Sequence, residues 1–219
     1  MKFENERNDK CTKIKSISFS DQEGIFNVWD LCQQLIDEGV EGDFAEAGVT
    51  AGGNPIIMSQ VCRLNDCNDR KVRMLDSFTR HPKCLDYEND ELKRLYGVRS
   101  ESEPLPNNTP DIENVKKYVK SFNGYEDIIE YHAGFFQESF LNLPDFKLAL
   151  LRVDVNMLES HNLCMEYLYP RLVRGGFFIS DDYISPGIKN EINKFIEDNN
   201  IKDAVVIGSE NHIIYFRKP

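Results

Sequence analysis

GDFAEAGVTAGG occupies residues 42–53. Its first half, Asp43 to Ala47, reads as a short strand. It empties into Gly48 and the glycine pair Gly52 and Gly53, after which Pro55 to Leu64 resumes apolar residues at helical spacing. Strand, glycine loop, helix is the opening unit of an open α/β sheet. Upstream, Asp21 to Glu38 places Ile25, Trp29, Cys32, Leu35 and Ile36 on one helical face, with Ser20 or Asp21 as the cap and Gly39 as the stop. Downstream, strands read at Val72–Leu75, Glu126–Tyr131, Phe146–Val153 and Gly176–Ser180 alternate with helical patterns at Asp111–Phe122, Leu158–Leu172 and Gly187–Glu197. Ala204–Ile207 and His212–Phe216, separated by GSEN, read as a closing hairpin.

This order predicts an α/β fold. The sheet is mostly parallel and seven-stranded, with helices on both faces and a C-terminal antiparallel hairpin, in one domain over residues 1–219. Residues 79–110 carry prolines at 82, 104, 106 and 110 and dense charge. They read as an irregular insertion with a short helix near Asp90 to Leu95, of the length expected for a lid.

Composition narrows the partners. With 26 Lys plus Arg against 37 Asp plus Glu, the net charge of −11 argues against nucleic acid and against an anionic membrane surface. No apolar run approaches the roughly 18 residues of a membrane span. The longest, Phe146 to Val153, is interrupted by Lys147 and Arg152. The first fifteen residues are polar and lack the apolar core of a secretory signal, so the expected location is cytoplasmic. Six cysteines with no CxxC spacing read as reduced thiols rather than zinc ligands or disulfides.

Ligands of open α/β sheets bind where loops leave the carboxyl ends of the strands. Four of the first five expected strand ends carry a carboxylate: Glu46, Asp76, Asp154, and the pair Asp181 and Asp182. The glycine loop lacks the GxGxxG of a dinucleotide site and the Gly-Lys-Ser/Thr of a phosphate cradle, and Glu46 beside it would repel phosphate. A cationic, phosphate-free nucleoside fits better: S-adenosylmethionine, with Gly48 and Gly52 letting the backbone approach and Asp76 anchoring the ribose. The other reading is a tight turn without a ligand. Asp154, Asp181 and Asp182 lie at neighbouring strand ends, where three carboxylates call for a cation. Oxygen ligands without Cys or His point to Mg²⁺, or to Mn²⁺ or Ca²⁺, rather than zinc. The alternative is that Asp182 caps a turn while the others are solvated.

GDFAEAGVTAGG, then MLDSF at 74–78 followed by His81-Pro82, GFFQESF at 134–140, LLRVDVNMLES at 150–160, and YPRLVRGGFFISDDY at 169–183 followed by Pro186-Gly187 resemble the successive motifs of the macrocin O-methyltransferase family. These are metal-dependent sugar methyltransferases with a Rossmann-like class I fold. The resemblance runs from about Asp21 to Glu197 in order. It implies methyl transfer from S-adenosylmethionine to a sugar hydroxyl, a deoxysugar such as rhamnose, in a homo-oligomer. It implies cofactor residues at Glu46, Gly48, Asp76 and Ser77, with Gln137 in the loop near the adenine. Mg²⁺ would sit on Asp154, Asp181 and Asp182, chelating two adjacent sugar hydroxyls as Lewis acid and template.

One position departs from the family pattern. Asp-x-Asp is common there, its second aspartate the proposed general base, and here that position is Asn156. Asp154 is one substitute. His81, His132, His161 and His212 are others, of which His161, close behind the expected metal-binding strand end, is best placed; its alternative is a core or surface histidine. Tyr87, Tyr96 and Arg99 are candidate sugar contacts from the lid. The rival readings are an O-methyltransferase of a catechol-like diol, and an S-adenosylmethionine-binding protein that lost catalysis with the missing aspartate.

Overall fold

The computed structural model describes residues 3–79 and 111–219. The expected lid beyond Thr79, its short helix, and His81, Tyr87, Tyr96 and Arg99 lie outside the described residues. Helices α1 (Glu4–Ile14), α2 (Gln22–Asp37), α3 (Gly53–Leu64), α4 (Ile112–Ser121), α5 (Phe136–Ser139), α6 (Leu158–Tyr167) and α7 (Pro186–Asp198) surround one seven-stranded sheet. Its strands are β1 (Asp43–Ala47), β2 (Val72–Asp76), β3 (Ile129–Ala133), β4 (Leu148–Val153), β5 (Leu172–Ser180), β6 (Val205–Ile207) and β7 (Ile213–Arg217), in the spatial order β3-β2-β1-β4-β5-β7-β6. β7 runs antiparallel to both of its neighbours and the other pairings are parallel, as the hairpin predicts.

Central strands buried on both faces show no polar alternation in sequence, yet their side chains still alternate in space. Phe44 and Leu150 join the apolar cluster under α1 to α4, while Ala45, Ala47, Leu151 and Val153 join the cluster under α5 to α7. Trp29 is fully buried in the first cluster, because α2 turns its apolar face onto the sheet.

Several elements differ from the sequence reading. α1 was not legible, since its amphipathic signal is only Cys11 and Ile14 inside a polar stretch. It docks through those two residues and through Arg7, whose Nε donates to Asp30 Oδ1 at 2.6 Å. β3 starts at Ile129, after a short 3₁₀ turn over Glu126–Ile128. The helix expected over Leu158–Leu172 ends at Tyr167, because Pro170 sits in a 3₁₀ turn over Tyr169–Arg171 that runs into β5, which begins at Leu172.

Candidate active site

Sheet register aligns the strand ends. Ala47 lies opposite Leu75 and Val153, Leu75 opposite His132, and Val153 opposite Ser180. The next residues, Gly48, Asp76, Asp154 and Asp181, therefore form a row along the carboxyl edge. Backbone bonds extend the ladder by one rung there, with Gly48 N–H donating to Leu75 O, Asp154 N–H to Ala47 O and Asp181 N–H to Val153 O, each at 2.9 Å. The strand order reverses between β1 and β4, so Gly48 and Asp154 mark the switch point, where a crevice opens for a ligand.

Asp76 shapes the glycine loop from the neighbouring strand end. Its Oδ2 accepts from the N–H of Val49 at 2.6 Å and of Thr50 at 3.3 Å, and its Oδ1 from Phe78 N–H at 2.8 Å and the Ser77 hydroxyl at 3.3 Å. Gly52 precedes α3 as its N-cap residue. Gln137 is exposed on α5 beyond the end of β3.

At the centre of the edge is a residue the sequence reading passed over. Arg152 is cross-strand neighbour to Glu46 and is 1% exposed. Its Nη1 donates to Glu46 Oε1 and, at 2.9 Å, to Asp154 Oδ2. Its Nη2 donates to Ser20 Oγ at 2.8 Å and lies 2.6 Å from Asp181 Oδ1, an ion-pair contact without hydrogen-bond geometry. Asn54 Nδ2 completes the shell with bonds to Glu46 Oε1 at 3.0 Å and Ser20 Oγ at 3.2 Å. One guanidinium thus ties together β1, β4, β5 and the segment before α2. Burial pushes the Glu46 carboxyl up to about 8 against the pull of Arg152. Beside this cluster, Phe19, Ser20, Glu46, Thr50, Asn54 and Asp154 help to line a narrow cavity of about 10 Å³.

Asp182 points elsewhere than its neighbour. Its Oδ2 accepts from the N–H of Val155 at 2.7 Å and of Asn156 at 3.0 Å, so it caps the turn after β4. Burial and then the charge of Asp154 push its carboxyl up. Asp154 is also raised, by burial and by Asp181, with Arg152 and His212 opposing. Asn156 sits in the left-handed region at φ 62°, a conformation asparagine tolerates better than most residues, and an amide offers no basic site for a proton.

His161 is not brought to this cluster. It is fully buried on α6, with Nε2 at 3.4 Å from Ser180 Oγ and its ring edge-on to Phe178, and burial lowers its pKa to about 4. A proton acceptor for an incoming hydroxyl needs an open face, and His161 has none. His132 packs with Arg73, Glu130 and Phe146 on the β2–β3 side of the sheet.

Whether a hard dication suits the three aspartates can be read from their oxygens. Among the described residues no three Asp, Glu, His or Cys side chains surround one point as a ready ligand set. The donor chemistry does fit. The set is all oxygen, and burial followed by neighbouring carboxylates raises the carboxyls of Asp154 and Asp182, a balance that a dication would reverse. Each of the three aspartates also keeps one oxygen outside the hydrogen bonds and ion pairs of the described residues.

A family model described as Macrocin-O-methyltransferase (TylF) matches residues 12–218. The chain belongs to that family and is an O-methyltransferase. It is 28% identical over 194 residues to a mycinamicin III 3''-O-methyltransferase of Micromonospora griseorubida, covering 88% of this chain and 74% of that one. It is 27% identical over 173 residues to an 8-demethyl-8-(2,3-dimethoxy-alpha-L-rhamnosyl)-tetracenomycin-C 4'-O-methyltransferase of Streptomyces olivaceus, covering 79% and 65%. Among solved structures, the O-methyltransferase NovP superposes with a TM-score of 0.75 at 24% identity, covering 90% of this chain and 80% of that one. The calicheamicin methyltransferase CalS11 superposes with a TM-score of 0.67 at 17% identity, covering 98% and 92%. These superpositions show the shared class I methyltransferase fold.

Within this family fold, the residues that sequence reasoning missed are Arg152, Ser20 and Asn54. The signal for Arg152 was present: a charged residue inside a fully apolar strand must find buried partners. Which partners it finds depends on register, and register is not written in any one strand.

Proposed function

We propose that this O-methyltransferase moves the methyl group of S-adenosylmethionine to a hydroxyl of a sugar, a deoxysugar such as rhamnose, free or in a glycoconjugate, with Mg²⁺ as second cofactor. The supporting observation is the aligned edge row: the glycine loop gripped by Asp76 on one side of the switch point, and the carboxylates of Asp154 and Asp181 on the other. On this reading Glu46, Gly48, Gly52, Asp76, Ser77 and Gln137 bind the cofactor, and Asp154, Asp181 and Asp182 hold Mg²⁺. When bound, the sulfonium supplies an electrophilic methyl group and the dication a Lewis acid for the acceptor hydroxyl. Arg152 keeps Glu46, Asp154 and Asp181 in place, and the chain orients the acceptor in line with the methyl group, a proximity effect that reaches roughly 7–11 kcal/mol for ideal alignment. The rhamnosyl group in one relative's name, and the TDP-rhamnose in the name of one structural neighbour, support the acceptor class. A cytoplasmic homo-oligomer is the assembly this reading carries.

The test is calorimetry with S-adenosylhomocysteine, then turnover of methyl α-L-rhamnopyranoside and of catechol with Mg²⁺ or excess chelator. Asp154→Ala and Asp181→Ala are expected to abolish both turnover and its metal dependence. Undiminished activity in chelator would sink the metal assignment, and transfer to catechol alone would replace the sugar by the diol.

A further inference from the structure

O-Methylation must dispose of a hydroxyl proton, and each acidic group of the edge already has a partner on at least one oxygen. Glu46, Asp154 and Asp181 are held by Arg152, Asp182 by two backbone amides, and Asp76 by the glycine loop. Asn156 has no basic atom and His161 no open face. The fold brings a different imidazole to the edge. β7 pairs antiparallel with β5, with Ile214 opposite Ser180, and His212 O accepts from Tyr183 N–H at 2.8 Å. His212 therefore stands beside the turn that follows Asp181 and Asp182.

The surroundings of its ring are built rather than incidental. The side chain is 18% exposed, and Nε2 lies 4.0 Å from Asp21 Oδ2. That separation is long for a hydrogen bond, as catalytic pairs often are before substrate binds. Asp21 is itself fixed, with Oδ1 accepting from Gly24 N–H at 2.6 Å and Oδ2 from Ser209 N–H at 3.1 Å. Gly208 closes the other side of the ring at φ 93°, and a Cβ there would fall 2.6 Å from His212 Cε1 and 2.7 Å from Nδ1. Only glycine lets the loop pass this close to the ring. The charges that face this group are Asp21 and Glu23 of the α2 terminus, Lys15 acting on Asp21, and Asp154 from the end of β4.

We propose that His212 is the proton acceptor for the acceptor hydroxyl, receiving the proton at Nδ1 while Asp21 holds Nε2–H. This rests on the reading of the carboxyl edge as the methyl-transfer site. His212 takes the hydroxyl proton as the O–CH₃ bond forms and the CH₃–S bond breaks, the bonding pair leaving with sulfur to give the neutral thioether, and it then returns the proton to solvent. Asp21 acts through His212 and is a positioning residue.

The experiment uses the full chain with S-adenosylmethionine and Mg²⁺, with methyl α-L-rhamnopyranoside and catechol as the two acceptors. His212→Gln is expected to lose about 100-fold or more in kcat, the usual scale of a general base, and the acid limb of its pH–rate profile is expected to vanish, with S-adenosylhomocysteine affinity retained. Asp21→Asn preserves the helix cap and removes the charge, and it is expected to lose about 10-fold in kcat at unchanged KM. A His212→Gln enzyme within about 3-fold of the parent and with the parent's pH profile overturns the proposal. If that variant does not fold, an Asp21→Asn enzyme with unchanged kcat overturns it. Transfer to catechol but to no sugar removes the sugar reading and leaves these variants to be read on catechol. Transfer to neither acceptor overturns both.

Discussion

At Gly48 the backbone runs at φ 81°, and a Cβ built there would lie 1.8 Å from the carbonyl oxygen of Asp154. No rotamer relieves a backbone collision, so β1 and β4 can converge at the switch point only over glycine. Gly48→Ala is expected to cost about 2–5 kcal/mol, combining left-handed strain with overpacking, and to weaken S-adenosylhomocysteine binding. Urea denaturation and calorimetry read the two effects, and an unchanged midpoint would refute the clash. Arg152 is the converse case, a residue defined by what surrounds it. Arg152→Met keeps the volume but leaves Glu46, Asp154 and Asp181 without a cation, an expected loss of about 3–5 kcal/mol. Adding Glu46→Gln to that variant should recover part of the loss, because the buried pair would then be removed as a unit. Strict additivity of the two substitutions in urea would contradict the pairing.

Elements with strong patterns were legible in the sequence, and elements held by tertiary contacts were not. α2, β1, β4 and the hairpin lie within a residue or two of their expected bounds because each carries its own cap, glycine or apolar run. The candidate carboxylates were legible for the same reason, since each lies at or just beyond the end of a strand. α1 lacked such a signature, and the Arg152 cluster depends on the alignment of three strands and the segment that α1 positions. That segment gives α1 a role at the site: Ile17 to Ser20 lie against the glycine loop, and Ser20 reaches Arg152. Ile14, the last residue of α1, is buried against the position of Gly53. Ile14→Ala is expected to cost about 2–4 kcal/mol by cavity formation and to lower S-adenosylhomocysteine affinity by loosening the segment beyond it. Lost stability with unchanged affinity would show that α1 braces the fold without bearing on the pocket.

At the scale of the whole molecule, the buried carboxyls at the strand ends set the pH dependence of stability. Glu46 rises from 4.5 to about 8 on folding, chiefly by burial, and Asp154 and Asp182 rise from 3.8 by burial and then by neighbouring carboxylates, Asp181 for Asp154 and Asp154 for Asp182. A carboxyl raised in this way binds its proton more tightly in the folded chain. Below about 4 both states hold the proton, and these groups add no slope. Between about 4.5 and 8 the folded chain alone would hold it, so stability falls as pH rises through that window. Asp21 works in the opposite direction: against the push of burial, the N–H groups of Gly24 and Ser209 keep its carboxyl low, a contribution lost as pH falls. The metal-free chain is therefore expected to melt highest near pH 5 and progressively lower toward pH 8, each kcal/mol appearing as about 2–4 °C at this chain length. Asp182→Asn, which keeps a carbonyl oxygen for Val155 and Asn156, should flatten the decline. Magnesium should raise the melting temperature more at pH 8 than at pH 5.5, because only ionised carboxylates attract it. A melting temperature that climbs steadily from pH 5 to 8 without metal would mean that Arg152 already compensates the edge carboxylates in full, and the electrostatic case for a dication would fall with it.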